Sequence, residues 1–373
     1  MAIRSVTLLL DALGGGGAAR VAAMLSGAWA EMGREVTILT GDDGRAHCPY
    51  PLHPAVAHRP LAGQALSRNP VQAVMRNVGR LLALRRAIRQ SRPDLVISFL
   101  DTTNVRCLLA TRGLGIPVLV SERTDPHGRS IGPAWESLRR LTYRWSGALV
   151  VQSDHALAYF PARIRARGMV IPNPVQTPPG GRGPDPLPGR RSVVSLGSLR
   201  AVKGHDQLLD AFAQVAGRFP EWDLRIHGEG PERPALEARI RALGLAGRVS
   251  LPGSTAEAGS ALRQADLFVL PSRAEGFPNA LAEAMACGLA VISFDCASGP
   301  AELVRPGLDG LLVPPGDIPG LARAMARLMA DPAERARLAA RAPEVTARFS
   351  LERVLGLWEK AMARAAGPRR GPA

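Results

Sequence analysis

Lysine is all but missing from this chain: of 47 basic residues, only Lys203 and Lys360 are lysine. Aromatic residues make up 4% of the 373. That leaves few platforms for stacking bases, and no RRM, zinc-finger or KH signature is present, so nucleic acid is not an expected partner. The four cysteines, Cys48, Cys107, Cys287 and Cys296, form no C-x-x-C pair and lack the spacing of a zinc site. They read as reduced, structural thiols, which points to the cytoplasm. No apolar run nears the roughly 18 to 20 residues that cross a bilayer, so any membrane contact is expected to be peripheral. The apolar start VTLLL is cut short by Asp11 and four glycines, which makes it a first strand and not a signal peptide.

What the chain has in excess is positive charge, a formal +15. Abundant arginine beside abundant alanine is what a GC-rich genome produces, so distribution means more than number. Residues 1–175 hold 22 arginines against 11 acids, whereas the remainder holds 25 basic residues against 21 acids. So basic a first half invites an anionic partner such as lipid phosphate or a phosphorylated substrate.

Short aliphatic runs at 6–10, 35–40, 94–100, 116–122 and 148–153 alternate with amphipathic stretches, the rhythm of βαβ units. In the stretch 70–91, apolar Val74, Val78, Leu81, Leu82 and Ile88 are set against Arg76, Arg80, Arg85, Arg86 and Arg89. From 172 to 189, seven prolines and four glycines in 18 residues suppress both periodicities. The rhythm then resumes at 192–197, 222–228, 248–253, 266–272 and 289–294. The expected fold class is α/β, with two Rossmann-like doubly wound parallel sheets facing a cleft. The first domain spans 1–175, a linker 176–191 and the second domain 192–348. A helix within 349–373, capped by Ser350, is expected to return to the first domain.

Four segments could carry chemistry. Residues 13–20, LGGGGAAR, follow a strand and open a helix, so Gly16 and Gly17 would let a phosphate or a second substrate approach backbone amides. Gly14, Gly16 and Ala19 also satisfy G-x-G-x-x-A, with Asp42 and Asp43 as ribose ligands, and a tight turn is the plain alternative. Residues 274–293 hold Glu275 and Glu283 on either side of a helix start near Pro278. The free amides of that first turn would then meet a phosphate, with the two carboxylates binding sugar and ribose hydroxyls. Alternatively the two acids are solvated charges. In 195–215, Gly197, Ser198, Arg200 and Lys203 occupy a strand-to-helix turn where two cations could meet a diphosphate. A lone ammonium there, in a chain of arginines, suits a compact anion. Gly228 and Gly230 of HGEGP form a fourth turn, whose plain reading is an ordinary connection.

Taken in order, these segments resemble the family 4 retaining glycosyltransferases of the GT-B fold, which build bacterial glycans and lipid-linked oligosaccharides. The likeness rests on the Lys turn from Gly197 to Gly204, HGEGP at 227–231, and EGFPNALAE at 275–283. IPNPV at 171–175 and GPAELV at 299–304 add to it, and the whole runs nearly the length of the chain. The resemblance implies that Lys203 binds the donor diphosphate, Glu275 the donor sugar and Glu283 the ribose, with the amides from Gly276 through Leu281 facing the phosphates. Catalytic weight then falls on Glu275, Lys203 and Arg200. The donor surface comprises Gly276, Phe277, Pro278, Asn279, Ala280, Leu281, Gly228, Gly230, Gly197 and Ser198, and the acceptor side Gly16, Gly17, Glu122 and His127.

Two positions depart from the family. Ser198 stands where the family often has arginine, so Arg200 is expected to replace that cation, and Ala19 stands in place of a glutamate. The GPAELV segment is most similar to members that use UDP-linked N-acetylhexosamine or galactose. No D-x-D occurs, so no metal or other cofactor is expected and the leaving diphosphate would be met by cations and amides. The expected partners are a nucleotide sugar and a glycan or polyprenyl-diphosphate-linked acceptor. An anionic membrane face is a further one, reached through Arg76 to Arg92 on the inner side of the cytoplasmic membrane. Rival readings are a UDP-sugar epimerase of the same fold, an NAD-dependent oxidoreductase and a silent binding protein.

Overall fold

A computed structural model describes residues 3–14, 16–44, 48, 50–61, 70–128, 130–179, 190–255 and 258–367, with side chains in the helix at 70–91 described from 77 onward. The chain divides into two units, Met1–Pro172 with Glu352–Ala373, and Asn173–Leu351.

The first unit is built on a seven-stranded sheet: β1 Ser5–Leu10, β2 Glu35–Thr40, β3 Val56–Pro60, β4 Leu95–Phe99, β5 Val118–Ser121, β6 Ala148–Val151 and β7 Gly168–Val170. The order is β3-β2-β1-β4-β5-β6-β7, and the paired strands are parallel throughout. The second unit has six strands: β8 Arg191–Leu196, β9 Trp222–His227, β10 Val249–Gly253, β11 Leu267–Leu270, β12 Ala290–Phe294 and β13 Leu311–Val313, ordered β10-β9-β8-β11-β12-β13. Both sheets reverse direction of growth beside their first strand, so each is doubly wound, as expected. The strands are apolar without interruption because both faces are covered. In the second unit Val193, Leu267, Val269 and Ile292 face one core, and Val194, Phe268, Leu270 and Val291 face the other.

The domain boundary falls earlier than the sequence places it. Asn173 and Val175 belong to the second unit. The Val175 amide donates to the Phe349 carbonyl at 2.8 Å, and Asn173 Nδ2 donates to Asn279 Oδ1 at 2.8 Å. Strand β8 starts at Arg191, inside the expected linker, whose residues 180–189 lie outside the described residues.

The last helix, Leu351–Ala366, belongs to the first unit from Glu352 onward. Trp358 is fully buried and packs edge-on against Trp29 at 6.0 Å and tilted against Phe99 at 5.8 Å. Glu359 receives both guanidinium nitrogens of Arg34, at 2.5 and 2.6 Å. A Cβ on Gly147 would stand 2.3 Å from the Ala365 carbonyl oxygen, so only glycine lets the helix lie this close.

The helix Pro70–Ser91 corrects one expectation. Ile88 is buried with Leu84 and Ala87, but Val78 and Leu82, assigned above to the apolar face, are 50% and 49% exposed. Arg85 does not face outward freely either: it donates to the carbonyls of Ala110 and Arg112 at 2.8 and 2.7 Å, satisfying the end of the helix Asp101–Thr111. The side chains of Val74 and Arg76 lie outside the described ones. No helix among the described residues is long and apolar enough to cross a membrane.

Candidate active site

In the second unit, strands β8 and β11 are neighbours and parallel, so the loops leaving their carboxyl ends emerge side by side. The β8 loop first continues alongside β9: the Gly197 amide donates to the His227 carbonyl at 3.0 Å and the Leu199 amide to the Glu229 carbonyl at 2.9 Å. This explains the glycines of HGEGP. A Cβ on Gly228 would stand 1.9 Å from the Gly197 carbonyl oxygen, and one on Gly230 2.3 Å from that of Leu199. The close approach of these backbones therefore requires both glycines.

The β8 loop then tightens into a 3-10 turn, Ala201–Lys203, ended by Gly204 at φ +67°. A Cβ there would stand 1.9 Å from the Pro271 carbonyl oxygen. Beyond Pro271, the Arg273 amide donates to the Val202 carbonyl at 2.8 Å. Its guanidinium donates to the Ala201 carbonyl at 2.5 Å and to both Asp206 oxygens at 2.8 and 2.6 Å. The two loops are thereby braced together, and Lys203 Nζ comes to 2.6 Å from Glu275 Oε1. Ser272 Oγ donates to the same oxygen at 2.7 Å. The Glu275 side chain is 8% exposed and that of Lys203 25%, so of the pair only the lysine keeps a substantial exposed surface.

Residues 276–283 follow directly. Gly276 is pinned through its carbonyl by Ser298 Oγ at 3.2 Å. Phe277 is 6% exposed and packs edge-on to Phe349 at 5.9 Å. Its side chain is a core anchor, and only its backbone is left for a ligand. The helix runs Asn279–Ala286 with Pro278 as its cap, as the motif predicts, and no side chain caps it. Two amide assignments change. Pro278 carries no N–H, and the Asn279 amide already donates to the Phe277 carbonyl at 2.9 Å. The first-turn amides of Ala280 and Leu281 have no helical carbonyl within reach. Glu283 is half-buried in the second turn.

Arg200 caps the Lys turn, where its carbonyl accepts from the Lys203 amide at 2.9 Å. It is exposed and lines a cavity of about 250 Å³ with His205, Asp206, Glu232, Arg239 and Arg273. Ser198 is exposed beside it. His205, overlooked in the sequence, is 3% exposed, with its ring against the Gly197 backbone. Burial first, and the Lys203 charge second, push its pKa down to about 4, so the ring is neutral. Ser272 and Arg273 were also overlooked. Their only signal was their place, Ser272 closing the run 266–272 and Arg273 directly after it.

In the first unit, Gly16 stands at φ +87° and caps the helix Gly17–Glu31 without a side-chain bond. A Cβ there would touch nothing within 4 Å, so backbone angle and not space selects this glycine. Glu122 is 1% exposed. Its Oε1 accepts from Tyr143 Oη at 2.5 Å and lies 3.6 Å from Arg139. Burial, partly offset by Arg139 and Tyr143, pushes its pKa up to about 7. The acceptor-side expectation for Glu122 is corrected accordingly: its carboxyl is committed beneath the surface. His127 is exposed, on the loop after β5.

Two family models match the chain: Glycosyl transferases group 1 over residues 190–331 and Glycosyl transferase 4-like domain over 16–174. Among curated relatives, an exopolysaccharide phosphotransferase of Streptomyces coelicolor is 37% identical over 229 residues, 61% of this chain and 23% of that protein. A relative from Campylobacter jejuni is 28% identical over 286 residues, covering 76% of this chain and 78% of the relative. Its name is GalNAc-alpha-(1->4)-GalNAc-alpha-(1->3)-diNAcBac-PP-undecaprenol alpha-1,4-N-acetyl-D-galactosaminyltransferase. Several other curated relatives are matched over less than half of their length. Among solved structures, sucrose-phosphate synthase from Thermosynechococcus elongatus superposes with a TM-score of 0.82 at 20% identity, over 96% of this chain and 98% of that one. The fold is GT-B.

Proposed function

The chain belongs to the family 4 glycosyltransferases, and we propose that it moves a hexose or N-acetylhexosamine from a nucleotide sugar to a glycan or lipid-linked acceptor, with retention at the anomeric carbon. The observation that carries this reading is the Lys203–Glu275 ion pair, 2.6 Å long, set beside an uncapped helix start. A diphosphate lying over the amides of Ala280 and Leu281 meets the exposed face of Lys203, and the donor sugar then lies against Glu275. Glu283 holds the ribose.

As the sugar–oxygen bond breaks, charge grows on the leaving diphosphate. Lys203 and the fixed amides stabilise that charge without reorganising, and Arg200 adds a second cation from its neighbouring position. This reading needs no metal ion at the donor. The acceptor hydroxyl attacks on the leaving-group face and passes its proton to the departing diphosphate, so bonds and protons balance. The likeness of 299–304 to UDP-sugar users supports a UDP-linked donor. The Campylobacter relative, whose printed name gives an undecaprenyl-diphosphate-linked substrate, supports a polyprenyl-diphosphate acceptor. Exposed Val78 and Leu82, on the same helix as the exposed arginines 86 and 89, support peripheral binding to the inner face of the cytoplasmic membrane.

A thermal-shift panel of UDP-, GDP- and ADP-sugars identifies the donor, because a ligand of the folded state raises its stability. Nucleoside diphosphate release is then followed with and without a polyprenyl-diphosphate-linked acceptor. Glu275→Ala abolishes transfer, and Glu283→Ala chiefly weakens donor affinity. Full activity in both variants, or interconversion of the donor alone without any acceptor, defeats the proposal.

A further inference from the structure

Outside the donor site, one cluster of side chains has no part in the chemistry above. Strands β5 and β6 are paired neighbours in the first sheet, and the loops after their carboxyl ends bring Asp125 and His127 together with His155. One carboxylate oxygen and one nitrogen from each imidazole all lie within 4.8 Å of one another, and this is the only such group among the described residues.

Each member is held from behind. The His127 amide donates to Asp125 Oδ1 at 3.1 Å, which leaves Oδ2 turned towards His155 Nε2, 3.5 Å away. His155 sits at the start of the helix Asp154–Ala158, whose cap Ser153 accepts from the Ala156 amide at 3.1 Å. The His127 ring lies between that of His155, at 4.4 Å, and that of Tyr159, edge-on at 5.2 Å. Tyr159 is itself locked by Glu136 at 2.9 Å and Arg139 at 2.6 Å. His127 Nε2 lies 3.2 Å from the His155 carbonyl oxygen. In the tautomer that donates there, Nδ1 keeps its lone pair, and a carbonyl partner of this kind is what commonly orients a metal-bound imidazole.

We propose that Asp125, His127 and His155 bind one divalent transition ion of the zinc class, with a coordination position left open to solvent. Two imidazoles and a carboxylate exclude Mg²⁺ and Ca²⁺, which take oxygen ligands, and suit Zn²⁺ or its neighbours. Metal–ligand bonds of about 2.1 Å set ligand atoms about 3.4 Å apart in a tetrahedron. The 3.5 Å separation of Asp125 and His155 already matches that edge. His127 is the exposed member of the three. Three protein ligands leave a fourth position for a water, hydroxyl or phosphate oxygen. The sequence expectation of no metal rests on the missing D-x-D of a donor site. This site lies in the other unit and leaves that argument untouched.

The test uses the untagged full chain, stripped with chelator and dialysed against ZnCl₂ alone. One zinc per chain is expected. His127→Ala and His155→Ala each weaken binding about a hundredfold or more, since even outer-shell partners cost about 10- to 100-fold. His58→Ala, on β3, leaves binding unchanged, and melting curves of all variants verify folding. Co²⁺ in place of zinc gives a spectrum without thiolate charge transfer. Less than one zinc per chain, undiminished binding in either histidine variant, or a thiolate band that moves the ion to a cysteine would overturn the proposal.

Discussion

Lys203 and Glu275, 72 residues apart in the chain, share an ion pair of 2.6 Å in which the acid is nearly closed off and the base is not. Losing either partner therefore has unequal effects. Lys203→Ala removes the cation that faces the diphosphate and leaves the carboxylate with Ser272 as its named donor. Its kcat for nucleoside diphosphate release falls by about 10²- to 10³-fold, the usual loss for one preorganised donor. Lys203→Arg restores the charge but not the compact ammonium, and recovers little. Wild-type turnover in Lys203→Ala would count against the site.

Gly204 joins the Lys turn to the helix His205–Ala216. Gly204→Ala meets both a left-handed backbone angle and the Pro271 carbonyl. Urea denaturation registers a loss of at least about 1–3 kcal/mol, the range for overpacking. Unchanged stability would mean that the two loops do not lie this close.

His205 gives the second unit a dependence on acid. Its ring ionises at about 4 in the fold against an ordinary 6.5. The stability it contributes is therefore complete above pH 6.5 and lost as pH falls from there towards 4. His205→Phe lacks this titration, so the variant gains on the wild type over that interval. A difference between the two that stays constant from pH 7 to 4 would refute the assignment.

Trp358 closes the core of the first unit from the far end of the chain. Trp358→Ala opens a cavity beside Trp29 and Phe99. It costs about 3–5 kcal/mol, as large aromatic truncations do, read as a lower melting temperature with exposed tryptophan fluorescence. A melt within experimental scatter of the wild type would show that the helix is dispensable.

Ten of the thirteen strands announce themselves in the sequence as aliphatic runs, and the other three share one property. Strands β3, β7 and β13 are all sheet edges and have mostly half-buried or exposed residues. Covered incompletely, they need no continuous apolar run, and period alone does not find them. Within the site, Glu275 and the helix start were legible because their chemistry needs particular residue types in a fixed local order. Arg273, Ser272 and His205 were not, because their roles come from a second loop brought alongside by the sheet. Val78 and Leu82 misled for the reverse reason: helical periodicity marks an apolar stripe without saying what, if anything, covers it.

The placement of Trp358 also bears on how the molecule is made. The ribosome delivers the seven strands of the first sheet early, yet the indole that fills the space beside Trp29 and Phe99 comes only after the whole second unit has been synthesised. Domains usually complete themselves in order of emergence. Here the first to emerge is the last to finish, and its unfilled aromatic face must be shielded from other nascent chains throughout elongation.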